Sequence, residues 1–208
     1  MNYEILWAFS LATAALAIFP GPDNIFVLTL SIVHGKKYGL ATTAGLISGC
    51  LVHTTLLAFG VSAIISLNPM LFYTIKLFGA LYLFFLAFRV MRSDARLDLE
   101  MNGRPKKTLW QLYRQGFIMN VLNPKVTIFF LAFFPGFLFS DYLSTTLQFY
   151  ILGFLFMIMS FTIFALIALL AGSISGYLQT HRGAPVFLKW LQVLVFAGIG
   201  LYLLLSYK

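Results

Sequence analysis

Three ionisable side chains, Asp23, His53 and Lys125, fall well inside long apolar runs of the chain. In hydrocarbon an ionised group costs several kcal/mol and is as a rule paired or functional. Two of them sit beside prolines, in Pro20-Gly21-Pro22-Asp23-Asn24 and in Asn123-Pro124-Lys125. A proline inside a helix removes a donor and frees the carbonyl four residues earlier, here those of Leu16, Ile18 and Asn120. Free carbonyls at membrane depth are tolerated where protein or a water-filled cavity satisfies them, and there they can coordinate a cation or an ammonium group. A half-helix starting at Pro22 also aims free N–H groups and a positive dipole end at the break, a setting for a carboxylate. One break thus offers complementary features for a zwitterion; the alternative is a proline kink that serves packing.

Asp23 lies ten residues before the end of its run at Val33, and Lys125 nine after the start of its own at Gly116. At 1.5 Å per residue each is ~14 to 15 Å deep, so the two can meet. Two readings stand: a static ion pair in which Asp23 caps the half-helix, or a pair that opens to bind substrate or a proton. His53 shares a four-residue stripe with Ala41, Gly45 and Gly49, a spacing that suits close helix packing. It can relay a proton or simply pack with a hydrogen bond. Phe129, Phe130, Phe133 and Phe134 cover most of a helix circumference and read as a lipid or packing surface. Lys76 lies near a helix end and can snorkel.

The elements that must position these residues are membrane helices. Of the residues 61% are hydrophobic and 10% charged, against roughly 25% charged in a soluble domain. The apolar runs exceed the ~20 residues that span ~30 Å of hydrocarbon. Loop signals bound six of them: Ile5 to Val33, Gly39 to Ser66, Pro69 to Met91, Gly116 to Leu138, Ser144 to Gly172, and Ala184 to Ser206. The first reads as a retained span and not a signal peptide, because its leader carries Glu4 and the run continues past Phe19. Eleven of the fourteen lysines and arginines fall in alternate connections, which places that face in the cytoplasm and both termini outside it. Tyr3, Trp7, Tyr73, Tyr142 and Tyr207 on one side, and Tyr38, Trp110, Tyr113 and Trp190 on the other, fit as interfacial anchors.

The basic stretch from Arg92 to Arg114 separates two halves of three spans, residues 1–91 and 116–208, within a single transmembrane domain. Three spans per half make the halves insert in opposite directions, and both open with a broken helix, as in an inverted repeat. The expected fold class is an all-α membrane protein of six helices with broken first and fourth helices. The basic connection meets anionic lipid headgroups. Cys50 is the only cysteine, so no internal disulfide or dithiol pair forms. The net charge of +8 lies in loops, so no nucleic-acid partner follows. No phosphate-loop or H-E-x-x-H motif is present, and no cofactor is expected.

Three features together resemble the lysine exporter and homoserine/threonine resistance (LysE/RhtB-type) family of bacterial inner membranes. They are the Pro20 to Asn24 break followed by Val27; the glycines 35, 39, 45 and 49 with His53; and Asn123-Pro124-Lys125 followed by Phe129 to Pro135. Gly136 departs from the pattern, since many members carry glutamine there. The resemblance covers nearly the full length. It implies proton-driven export of amino acids or close derivatives, with no enzymatic step, and a site at the two breaks: Pro20, Gly21, Pro22, Asp23, Asn24, His53, Asn123, Pro124 and Lys125. The partners would be a small amino-acid substrate, protons and membrane lipid, and a homodimer is compatible with the sequence. Two other classes stand beside it. A metal-ion or other small-solute exporter or channel would use the same carbonyls, although hard cations prefer clustered carboxylates. An intramembrane hydrolase would need a nucleophile beside a base, and Ser48 and His53 are five apart, off the same-face spacing.

Overall fold

The computed structural model describes residues 2–18, 21–63, 69–93, 107–181 and 183–205. Among these the chain is helical without strands, an all-α membrane protein. Helices α1 (Tyr3–Ile18) and α2 (Pro22–His34) meet at the first proline break with a bend of 55°. Helix α3 (Lys36–Leu56) follows a corner at Gly35, whose φ of 99° is open to glycine and strained for other residues. It runs on into a π-helical turn, Leu57–Val61, and α4 covers Pro69–Arg92. The second half holds α5 (Leu109–Val121), α6 (Pro124–Phe133) with a 3₁₀ turn over Phe134–Phe137, α7 (Thr145–Leu169), α8 (Ala171–Thr180) and α9 (Gly183–Leu205).

Three described helices are long and apolar enough to cross a membrane: Lys36–Val61, Thr145–Leu169 and Gly183–Tyr202. The bent α1–α2 pair is a fourth if it is one crossing. The two other expected spans correspond in residue range to α4 and to the α5–α6 pair. Large apolar side chains such as Trp7, Leu11, Phe78, Phe154, Ile158 and Leu194 point outward, a surface far too apolar for water but suited to lipid.

Two elements differ from expectation. Helix α5 begins at Leu109, inside the basic connection and ahead of the expected span start at Gly116, because Thr108 and Gln111 form a reciprocal capping box. Helix α8 occupies a stretch read as a loop, where α7 ends at Leu170 and the chain turns to pack on α2. Residues 94–106, Arg182 and Lys208, which carry much of the charge asymmetry, lie outside the described residues, as does the side chain of Lys76.

Helix α3 is the hub, packed on α5, α7 and α2, while α4 pairs with α9 and α1 with α7. The buried apolar residues form two groups. The larger joins Phe9, Leu57, Leu83, Phe130, Phe133, Phe134, Phe149 and Phe196; the smaller joins Ala17, Val27, Leu46, Phe164 and Ala168. The phenylalanines of α6 therefore face protein and not lipid. Phe9 of α1 packs 5.2 to 5.4 Å from the rings of Phe133, Phe134 and Phe137.

The connection from α6 to α7 hangs on one side chain. Gln148, 2% exposed, accepts from the N–H groups of Phe139 (2.8 Å) and Ser140 (3.0 Å) and donates to the carbonyls of Ser140 (2.8 Å) and Leu143 (2.9 Å). Replacing it by leucine leaves four backbone groups without partners, at about 1–3 kcal/mol for each one kept from water. Gln148→Leu is expected to lower the thermal unfolding midpoint in detergent clearly, whereas Leu147→Gln on the exposed neighbour leaves it in place.

Candidate functional site

The two breaks face each other across a cavity of about 110 Å³ at the junction of the two apolar groups. Leu16, Ala17, Gly21, Asp23 and Asn24 line it from the first break, and Asn120, Asn123, Val126 and Phe129 from the second. Helix α3 adds Leu46, Ile47 and Cys50, helix α7 Phe156, Ser160 and Phe164, and α4 and α9 close it with Leu83, Leu86 and Phe196.

Pro22 starts α2 because its fixed φ suits the first helical turn, and Gly21 before it is extended (φ −109°, ψ 176°) with no side chain to cap the helix. The positive end of α2 is thus presented at the break without a capping side chain. Asn24, buried in the first turn, donates through Nδ2 to the Ala17 carbonyl (2.7 Å), so the break is stapled across its own gap. Asp23 reaches across to the second break, where Asn123 Nδ2 donates to its Oδ2 at 3.3 Å.

The second break is held from α3. Asn120, 5% exposed, is the penultimate residue of α5, and its carbonyl, which accepts from the Asn123 N–H at 3.0 Å, also lies 3.1 Å from His53 Nε2. His53 is 4% exposed, does not line the cavity, and packs its ring 5.5 Å from that of Phe130 at a tilt of 42°. The hydrogen bond accounts for its burial. Cys50 Sγ lies 3.8 Å from Asn120 Oδ1, a weak contact.

Close approach of α3 and α5 makes these contacts reachable. A Cβ on Gly45 would strike the Tyr113 carbonyl, one on Gly116 the Thr42 carbonyl, and one on Gly49 would come within 2.7 Å of Asn120 Oδ1. The stripe of Gly45, Gly49 and His53 therefore faces protein, against a matching glycine on α5.

Of the expected residues, the structure gathers Gly21, Asp23, Asn24 and Asn123 at the cavity and leaves His53 one residue behind it, through Asn120. Pro20 lies outside the described residues, as do the side chains of Pro22, Pro124 and Lys125. Lys125 is the second residue of α6. Asn120 was expected for its carbonyl alone; its side chain, Cys50, Ser160 and the aromatic lining were not anticipated. Only Asn120 left a local signal, a polar side chain inside an apolar run one turn before the second break.

Chemically, the cavity offers one carboxylate, several amides, an uncapped helix N-terminus and apolar walls. Among the described residues no three His, Cys, Asp or Glu side chains gather to hold a metal ion, and Asp23 is the sole carboxylate on the wall. That donor set suits a small organic cation or zwitterion better than a hard metal ion.

Residues 14–207 match the family model described as LysE type translocator. The chain is 26% identical over 192 residues to a leucine efflux protein of Enterobacter sp. (strain 638), covering 92% of this chain and 91% of the relative. It is 28% identical over 179 residues to a homoserine/homoserine lactone efflux protein of Salmonella typhimurium, covering 86% of each. An uncharacterized membrane protein of Pseudomonas aeruginosa is 30% identical over 151 residues, 71% of this chain and 70% of its own. No solved structure matches it. With the family match running over nearly its whole length, the chain belongs to the LysE-type translocators and is a multi-pass membrane transporter, not an enzyme.

Proposed function

We propose that this protein exports amino acids or close derivatives across a bacterial inner membrane, driven by the proton gradient, and that the cavity between the two breaks is its transport site. The observation that carries the reading is the single carboxylate of Asp23 facing that cavity, hydrogen-bonded to Asn123 of the opposite break. Leucine and homoserine are the cargoes named for two relatives, and both present an α-ammonium and an α-carboxylate. Asp23 receives the ammonium; the start of α2 and Lys125 receive the carboxylate. A proton arriving from outside neutralises Asp23 and removes the ionic partner of the ammonium, so proton entry and amino-acid exit compete for one group. His53 positions the second break by holding the Asn120 carbonyl.

Six spans in two inverted halves fit this scheme. Exchanging the halves turns the packing α3–α5 into α7–α1 and leaves α3–α7 and α4–α9 unchanged; all of these contacts occur. Both termini are then outside the cytoplasm. Single cysteines introduced at Ser140 and Gly183 in a Cys50→Ala background test the orientation. A membrane-impermeant thiol reagent on intact cells is expected to label position 140 and not position 183; the reverse pattern overturns the topology.

Inverted membrane vesicles test the function itself. Radiolabelled amino acid should accumulate in them when a proton gradient is imposed, and collapse of the gradient should end net accumulation. Accumulation that ignores the gradient would remove the proton coupling, and a cavity that carried inorganic cations alone would favour the metal-ion reading.

A further inference from the structure

We infer that cargo leaves the cavity along the inner face of α1, with Phe9 as the barrier on this route and Thr13 as a hydroxyl exposed to cargo and water when α1 withdraws. The inference rests on the exporter reading above and adds to it a route and two residues outside the cavity wall.

Helix α1 buries one stripe, Phe9, Thr13 and Ala17, at steps of four residues that share a helix face. Ala17 lines the cavity, and Phe9 lies eight residues, ~12 Å, further along the helix. The stripe thus runs from the cavity toward the end of the bundle that holds Tyr3, the outer end in the orientation proposed above. Rings close the way. Phe129 of α6 lines the cavity and stacks on Phe133 at 4.5 Å, and Phe133 meets Phe137 at 4.4 Å. Phe9 sits among Phe133, Phe134 and Phe137, and none of these four is more than 3% exposed. A charged solute cannot cross this layer while the rings touch, since it would meet no polar partner there. Phe133, Phe134 and Phe137 all belong to α6 or to the 3₁₀ turn that continues it. Parting α1 from that unit therefore opens the layer without dismantling it. The helix is hung for such a movement: the 55° break separates it from α2, with the Asn24–Ala17 hydrogen bond across the gap, and its other end is tied by the Asn2 N–H to the Phe139 carbonyl at 2.8 Å.

Thr13 is the second observation. It is 0% exposed, and its Oγ1 has no hydrogen-bond partner. A threonine in a helix commonly bonds to the carbonyl four residues back, as Thr42, Thr127 and Thr162 do here; Thr13 does not. A buried hydroxyl left in this way costs free energy in the closed arrangement. When α1 withdraws, water or the passing cargo supplies the missing partner and the cost is relieved. Relative to a valine of the same shape, Thr13 therefore favours the open route.

Both parts are read in proteoliposomes as transport of radiolabelled leucine. In a Cys50→Ala background, Phe9→Cys/Phe137→Cys is treated during turnover with a short, reducible bifunctional thiosulfonate. Joining the two thiols is expected to lower transport roughly tenfold or more, and reduction to restore it. A monofunctional methyl thiosulfonate, which caps the thiols without joining them, should leave most of the transport in place. Undiminished transport by protein whose cross-link is verified by mass spectrometry overturns the route, and so do thiols that the reagent never reaches during turnover. Thr13→Val is expected to keep or raise the thermal unfolding midpoint and to lower kcat roughly three- to tenfold. Its KM should stay close to the parent's, because Thr13 is not on the cavity wall, and Thr13→Ser should recover the turnover. An unchanged kcat in Thr13→Val overturns the role of that hydroxyl. A parent that carries no amino acid overturns the exporter reading and this route with it, whereas transport through a clamped seam overturns the route alone.

Discussion

Asp23→Asn is expected to abolish proton-driven export, while substrate exchange without net proton movement persists only at raised substrate concentration because the ammonium loses its ionic partner. The replacement keeps the shape of the first turn of α2, and its amide oxygen can still accept the 3.3 Å bond from Asn123 Nδ2. It removes the titratable charge, so proton and substrate ammonium no longer compete for one group. Lys125→Met should impair both activities, because on the proposed assignment it removes the cation that receives the substrate carboxylate. Removing one partner of a desolvated charge pair costs about 3–5 kcal/mol, or roughly two to nearly four orders of magnitude in a binding constant. Proton-driven uptake and homoexchange measured in the same proteoliposomes separate the two variants. Proton-driven uptake by Asp23→Asn at the parental rate would remove the carboxylate from the coupling step.

The largest expected effect on the fold belongs to Gly45. A Cβ there collides with the main-chain carbonyl of Tyr113 and comes within 2.8 Å of its carbon and 2.9 Å of the Phe117 nitrogen. These are backbone atoms of α5, so no rotamer change relieves the clash. The whole helix must retreat, carrying Asn120 and the second break away from His53 and from Asp23. Overpacking of this kind costs about 1–3 kcal/mol, and the displaced break should also remove transport. Gly60→Ala is the control, since a Cβ there meets nothing within 4 Å. Thermal unfolding in detergent should show Gly45→Ala well below the parent and Gly60→Ala close to it. Equal midpoints would show that α3 and α5 do not depend on this crossing.

The parts of this architecture legible in the sequence are those written in local chemistry. Pro22 after Gly21 starts a helix wherever it occurs, and the α1–α2 bend lies at that break. The glycine spacing of α3 announced a close helix contact, and Gly45 and Gly49 make it. The capping box that starts α5 was equally local, Thr108 with Gln111 three residues on, inside the segment read as a basic connection. Helix α8 was not legible: Gly172, Ser173, Ser175 and Gly176 resemble a connection, and packing on α2 holds it helical. The lining of the cavity could not be read at all. Ser160 is one serine among apolar residues of α7, and Phe196 lies far from it in sequence. Only the way the helices pack brings both to the wall that the two breaks share.

The site account turns on whether Asp23 and Lys125 work in transport or merely neutralise each other. The double variant Asp23→Asn/Lys125→Met decides this, because it removes both charges together and leaves neither unpaired. Measured as gradient-driven uptake of radiolabelled leucine into inverted vesicles, with the amount of folded protein checked alongside, it is expected to be present at the parental level and to transport nothing. Recovery of proton-driven uptake in the double variant would contradict the account and reduce the two residues to a structural ion pair.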